Sequence, residues 1–556
     1  MISLGLVFFY YWIILFSIIG YGYLFSKFFL LKPSENNYVG YVGYVGFYGI
    51  FSLLLISYLS SFLVPHNLFF NSIIIGTGFL YFWTSKQKFF LSNNFKILIF
   101  VFSILLITIY AAKNHDDFPY YHFPYTHLLT EYSALIGIGN FNHGFRTHSS
   151  IFYLSSLFYL PFIKYFLFHL TPVFFLGFSN LILYKKIKEN LYKPNNLYLI
   201  FLSLFSLIFV NVFFYRLAEH GTDRSAMILI MILVIEILYL INLKEIYEKD
   251  KILKLVILIT IIFTLKAFYI IYCILFFLIF FYNKEKKELI IYLFNHKITF
   301  LCIGLIGFVL FTNFLNTGCL IYPAKILCYE NFQWSIPLKE VDQMNNWYQL
   351  WSKAGANPNF RIDNPNEYIQ NFNWVGNWFQ MYFFNKVSDF LLGLLFLILL
   401  FMVTFFRRKI KLDKKRFLLL YIILLILFFE WFYFHPALRY GGYNLVALLI
   451  FIPTSLFLEK YSKNKSNFKN KVYIILILAI SVFLLRNTER IYKEHKAYNY
   501  NPIVNAYYKD FQQNFKISKR IEKINMCIDN QIDLKCENED IKSIRIFNTY
   551  MFYRKK

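Results

Sequence analysis

The chain has 556 residues, of which 58% are hydrophobic, and a formal net charge of +25; its mean hydropathy is +0.49. That composition is too apolar for a soluble protein with a polar surface. It also argues against a nucleic-acid partner, because the Lys and Arg residues fall in short clusters between apolar runs instead of along one face.

Runs near twenty apolar residues recur, the length a helix needs to cross about 30 Å of hydrocarbon. They predict an all-α polytopic membrane protein of about 12–14 transmembrane helices over residues 1–486, with a polar tail, 487–556, on the outer face. The first run, 4–31, lacks the basic start and small-residue cleavage site of a signal peptide and is read as a retained helix. Runs 38–64, 68–84 and 97–112 follow; Lys86, Lys88 and Lys96 mark an inner turn, so the fourth run climbs outward. It delivers the polar stretch 113–150 to the outer side.

Further along, 151–163 is short, bordered by Pro161 and Lys164, and predicts a re-entrant or interfacial helix. Spans are predicted at 166–184, 197–215 and 226–242, with the loop 216–225 outside. The run 255–282 is too long for one upright helix and has cytoplasmic flanks on both sides. Two short helices meeting near Lys266 fit it better, and that lysine then points at the outer cavity. Spans 298–315, 390–406, 417–434, 445–458 and 472–485 complete the alternation, leaving 316–386 and 435–444 outside. Cys319 with Cys328, and Cys527 with Cys536, are close pairs in outer segments, consistent with disulfides or with free thiols. The glycines of VGYVGYVG, 39–46, suit close helix packing.

Four outer segments, 113–150, 216–225, 316–386 and 435–444, therefore converge on one side of the membrane. The first packs His115, Asp116, Asp117, His122, His127, Glu131, His143, Arg146 and His148 between lipid-embedded runs, and ionisable groups in such places mark functional sites. A carboxylate beside a hydroxyl acts as a general base, and guanidinium or ammonium groups hold phosphate. Asp116 or Asp117 is the candidate base. The candidate substrate-binding residues are His115, His122, Glu131, His143, Arg146, His148, Arg224, Lys266, Arg439 and Tyr440.

Each has a structural alternative. Glu131 suits the solvated face of an interfacial helix, His143, Arg146 and His148 suit capping of the loop, and Arg216, Arg224 and Arg439 suit snorkelling at span ends. Trp334, Trp347, Trp351, Trp374 and Trp378 suit an interfacial aromatic belt better than a sugar platform. The histidine spacings match no zinc motif, and neither a Walker nor a Rossmann pattern is present. Asp116 or Asp117 suits Mg or Mn, but nothing in the spacing fixes a coordination sphere, so no cofactor is assigned.

An acidic pair in the first large outer loop resembles the signature of the GT-C superfamily of polytopic glycosyltransferases. More closely, HDDFPYYHFPYTHLLTEYSALIGIGNFNHGFRTHSSIFYLSSLF resembles a family of bacterial membrane proteins whose loop reads D-x-x-x-Y-H, then E-Y, G-x-G-N and N-S-S. TGCLIYPAKILCYENFQWSIP and HPALRYGG resemble that family's other outer loops. Thr147 and His148 stand before Ser149 and Ser150 where that family has Phe-Asn. The resemblance implies a GT-C-like fold in the bacterial inner membrane. It implies transfer of a sugar from a polyprenyl-phosphate donor to a glycan or lipid acceptor on the outer face, with inversion at the anomeric carbon and Asp116 or Asp117 as base. An O-antigen polymerase or ligase, which does not depend on an acidic pair in this loop, is the alternative within envelope assembly. A lipid-linked glycan flippase or transporter is the alternative outside it, although paired halves are not evident in the chain.

Overall fold

A computed structural model describes residues 4–29, 38–85, 93–110, 117–191, 196–217, 221–242, 249–357, 362–407, 417–462, 465–498, 521–522, 525, 541–547 and 549–554. Among the described residues, most of each apolar run is helical. In chain order they form α1 (Leu4–Phe28), α2 (Tyr38–Ser61), α3 (Leu68–Ser85), α4 (Asn93–Leu105), α5 (Phe123–Glu131), α6 (Ser150–Ser156), α7 (Thr171–Leu191), α8 (Leu197–Ile208), α9 (Gly221–Asn242) and α10 (Lys249–Leu265). The second half continues with α11 (Phe277–Tyr282), α12 (Lys286–Asn295), α13 (Lys297–Thr317), α14 (Leu338–Lys353), α15 (Pro365–Tyr368), α16 (Val375–Trp378), α17 (Ser388–Phe405), α18 (Leu418–Phe434), α19 (Gly442–Tyr461) and α20 (Lys465–Tyr498).

Among the described residues, eight helices are long and apolar enough to cross a membrane, and four shorter apolar stretches accompany them: Phe95–Tyr110, Leu197–Phe213, Ala267–Tyr282 and Leu418–Phe434. The chain is thus a helical polytopic membrane protein. Of the other expected spans, four are the shorter apolar stretches, while α7 carries Lys185, Lys186, Lys188 and Glu189 in its second half and α10 begins on Lys249, Asp250, Lys251 and Lys254. Small residues let the first helices meet at backbone distance. A Cβ on Gly20 would lie 1.9 Å from the Gly78 carbonyl oxygen, and one on Gly43 would lie 2.7 Å from the Ile182 side chain in α7.

Within 151–163, expected as a re-entrant or interfacial helix, α6 lasts seven residues, all of them buried, and gives way to turns with positive φ at Phe162 and Lys164, where Phe162 is 76% exposed. Its N-cap Ser149 accepts from the Ile151 amide, and α6 packs against α2, α5 and α7. The boundary drawn at 486/487 falls inside α20, which runs unbroken to Tyr498. The described end of the tail is not an isolated polar segment and departs from the all-α expectation. Strands β1 (Ile541–Ile546) and β2 (Thr549–Arg554) form an antiparallel hairpin pairing Ile541 with Arg554.

That hairpin docks on the loop between α5 and α6. The Ile136 amide donates to the Tyr550 carbonyl and the Phe552 amide to the Ile136 carbonyl. Gly137 lies beneath it with φ +73°, and a Cβ there would sit 2.0 Å from the Phe552 carbonyl oxygen, so only glycine fits. Cys319 and Cys328 form a disulfide that closes the turn after α13. Cys527 and Cys536 lie outside the described residues.

Candidate functional site

Asp117, with helical backbone angles (φ −64°, ψ −26°), leads into the π-helical segment Phe118–His122, where Pro119 in the first turn suits a position whose N–H has no helical partner. The loop around it is folded on itself. Asn142 Nδ2 donates to the Tyr120 carbonyl at 2.8 Å, and the ring of Tyr121 fills the space a Cβ on Gly144 would need. Asp223 lies in the first turn of α9, where the exposed amides and the helix dipole favour a negative charge. Lys266 sits where α10 stops. Its backbone is extended (φ −167°, ψ 140°), and a 3-10 turn, Ala267–Phe276, leads on into α11.

Arg439 projects from a short turn between α18 and α19 that is pinned on every side. The Ala437 amide donates to Ser352 Oγ and the Leu438 amide to the Tyr382 hydroxyl. Trp431 Nε1 donates to the Ala437 carbonyl, Trp378 Nε1 to that of Pro436, and the Tyr269 hydroxyl to that of Arg439. Gly441 closes the turn with φ +96°, a conformation that L side chains resist, and a Cβ there would meet the Tyr272 hydroxyl at 2.5 Å. A guanidinium held on so rigid a support is pre-positioned.

These segments bring four charged side chains together. Lys266 Nζ meets Asp223 Oδ1 at 2.7 Å, and one Arg439 nitrogen meets Asp117 Oδ2 at 3.4 Å and Asp223 Oδ2 at 3.5 Å. Trp351 from α14 and Tyr440 flank the guanidinium, their ring centroids 5.4 and 5.7 Å away, and Tyr440 lies 5.8 Å from the lysine nitrogen. Burial pushes the Tyr440 phenol up to about 12 although Arg439 pulls it down, so it is a hydrogen-bond donor at neutral pH. The two carboxylates differ. Asp223 is 9% exposed and closed by a short contact, whereas Asp117 is 27% exposed and meets Arg439 beyond the 2.7–3.2 Å of a well-formed hydrogen bond.

Of the residues nominated from sequence, the structure gathers Asp117, Lys266, Arg439 and Tyr440. His115 and Asp116 lie outside the described residues. Arg224 is next to the cluster in sequence but stacks over Phe214, at 5.5 Å. His122 packs between Tyr121 and Phe152. Others are committed elsewhere. Glu131 pairs with His127 at 3.0 Å, and the His127 hydrogen bond, against partial burial, holds its carboxyl below the usual range. Arg146 is 1% exposed and binds Glu340 at 2.9 Å and the Gly139 carbonyl at 2.8 Å. His143 lies one turn away at the surface, where partial desolvation and the neighbouring Arg146 lower its pKa. His148 is buried against Asn313 at 2.7 Å.

Two participants escaped the sequence reading. Asp223 was hidden at the head of an apolar run, yet Lys266 in a lipid-embedded stretch demanded a carboxylate partner, and that demand was the available signal. Trp351 looked like one more belt residue. Among the described residues no three His, Cys, Asp or Glu side chains converge as a metal site would require. Asp117 and Asp223 could offer oxygens to a divalent cation, but Arg439 already meets both carboxylates and Lys266 pairs with Asp223, and their charges would repel it.

No curated protein and no solved structure matches the chain. One family model does, over residues 4–446, a region that contains all four charged groups and ends before α20 and the hairpin. The chain therefore belongs to the family described as Domain of unknown function (DUF8201).

Proposed function

We propose that the protein is a membrane glycosyltransferase of GT-C-like type, which moves a sugar from a polyprenyl-phosphate donor to an envelope glycan or lipid acceptor at the outer face of a bacterial inner membrane. The observation that carries this reading is the unequal pair of carboxylates around Arg439. Asp117, the more accessible, is assigned as general base on the acceptor hydroxyl; Asp223, closed by Lys266, is assigned as the counterion that holds the cations in place. Arg439 and Lys266 would turn to the donor phosphate, and guanidinium geometry suits its oxygens. Proton removal from the hydroxyl, attack on the anomeric carbon and departure of the lipid phosphate then balance without an external oxidant or reductant. A positive group at the leaving phosphate stabilises the charge that develops there.

Deletion of the gene followed by mass spectrometry of envelope glycans and lipids tests the reading. Loss of one sugar from a glycan or lipid, restored by the wild-type chain and not by an Asp117→Asn chain present at equal level in the membrane, is the expected result. Accumulation of unpolymerised lipid-linked repeats would point instead to a polymerase. Full restoration by the Asn variant would remove Asp117 from the role of base.

A further inference from the structure

A sizeable cavity lies away from the charged cluster. It is a groove of about 550 Å³ flanked by α17 and α20 and lined also by the end of α8 and the start of α19. That volume falls within the roughly 300–1,000 Å³ of ligand pockets. Phe213, Phe396, Leu400 and Leu478 give it apolar walls, and Gly393 makes room for the ring of Phe213, which a Cβ would approach to 3.0 Å. Both flanking helices are apolar spans with little of their surface packed against the rest of the chain: Phe396 is 71% exposed and Leu478 is 47% exposed. In a membrane these walls face hydrocarbon.

One end of the groove is polar. Asn385, Lys386 and Asp389 stand at the entry to α17, and Arg486 stands across from them on α20. Arg486 is fixed there by a 2.7 Å hydrogen bond to the Val212 carbonyl and by the ring of Tyr215, 4.0 Å away. A guanidinium has five N–H donors, so one such bond leaves others to offer. Two cations against one carboxylate give this mouth a net positive charge at the head of an apolar slot.

We propose that the groove holds one hydrocarbon chain of a phosphate-headed membrane lipid, with Lys386 and Arg486 on its phosphate. The shape admits a chain and the mouth complements an anion, whereas a protein helix docking there would have to bury Lys386, Asp389 and Arg486. Tyr443, in the first turn of α19 and four residues beyond Arg439, lines the groove, so an occupied groove adjoins the charged cluster without being part of it. The proposal stands whether or not the protein transfers sugars.

Native mass spectrometry of the purified full-length chain, delipidated and then titrated with lipid, tests it. Phosphatidylglycerol is expected to bind at one copy per chain, about tenfold more tightly than a chain-matched diacylglycerol, since the phosphate adds charge-assisted hydrogen bonds. Glycerol phosphate, the headgroup without a chain, is expected not to bind. Lys386→Gln with Arg486→Gln should bring phosphatidylglycerol down to the diacylglycerol level while leaving diacylglycerol binding unchanged, which also shows that the variant is folded. Leu400→Phe with Ala479→Phe, which fills the slot, should weaken both lipids by about tenfold. Equal binding of the two lipids by the wild-type chain, binding of glycerol phosphate alone, or indifference to the filling substitutions would overturn the proposal.

Discussion

Two charge clusters at the same end of the helix bundle use similar residues and are closed to different degrees. Around Glu340, Arg146 binds at 2.9 Å and Arg554 at 2.8 Å, so three distant segments meet on one carboxylate at ideal distances. Burial opposes ionisation of Glu340, but the two guanidiniums more than offset it and hold the carboxyl below the usual range. Around Arg439 the stoichiometry is two acids to two bases, and among the contacts between these four described groups the Lys266 contact is the short one. The first cluster is a tie, joining the loop between α5 and α6, α14 and the C-terminal hairpin. The second retains accessible polar surface and long contacts that a ligand could shorten or replace. Tight geometry marks what holds the molecule together; loose geometry marks where it has something left to bind.

The comparison breaks first at Asp117. If the loose cluster is the chemical one, Asp117→Asn should lower sugar transfer by about a thousandfold, within the range a general base contributes, and shift stability by less than about 1 kcal/mol. Thermal unfolding in detergent alongside glycan mass spectrometry reads both. Glu340→Ala should do the reverse. It leaves the buried Arg146 guanidinium without its carboxylate and should cost about 4 kcal/mol of stability, as when one partner of a buried pair is removed. Similar losses of stability in both variants would erase the distinction.

How much of this was legible in the chain depends on where each partner lay. Asp117, Lys266 and Arg439 stood out because charged groups beside or within apolar runs need a reason to be there. The break at Lys266 was readable from a run too long for one helix. Glu340 was not nominated, because an acid in a long polar loop carries no such tension until its partner Arg146, 194 residues away, is known to be buried. The hairpin was hidden too. TYMFYR alternates too weakly to stand out in a basic tail, and its docking strand is the single residue Ile136. Sequence patterns report the periodicity of a segment, and long-range pairing in a loop leaves no period to read.

A pH titration sharpens the comparison on the structural side. Burial pushes the His148 imidazole down to about 4, with the Asn313 hydrogen bond opposing. A histidine depressed on folding is neutral in the folded chain and takes up a proton in the unfolded one. Stability is therefore fully present above about pH 6.5 and falls as the pH drops toward 4, by about 3 kcal/mol in all. His148→Gln should flatten that part of the unfolding profile, and an unchanged slope would place the titrating group elsewhere.

The smallest effect separates the two halves of the tie. Arg554 makes the shorter contact to Glu340, yet a third of its side chain is accessible, and exposed ion pairs contribute at most about 1 kcal/mol. Arg554→Ala should therefore destabilise the protein far less than Glu340→Ala while leaving Arg146 neutralised. What it should change is local: amide exchange at Ile136 and Phe552, whose hydrogen bonds fasten the hairpin, should accelerate before that of α14 does. If α14 loosens equally, the hairpin is holding that helix and, through Trp351, the guanidinium of Arg439, and the two clusters are one mechanical unit.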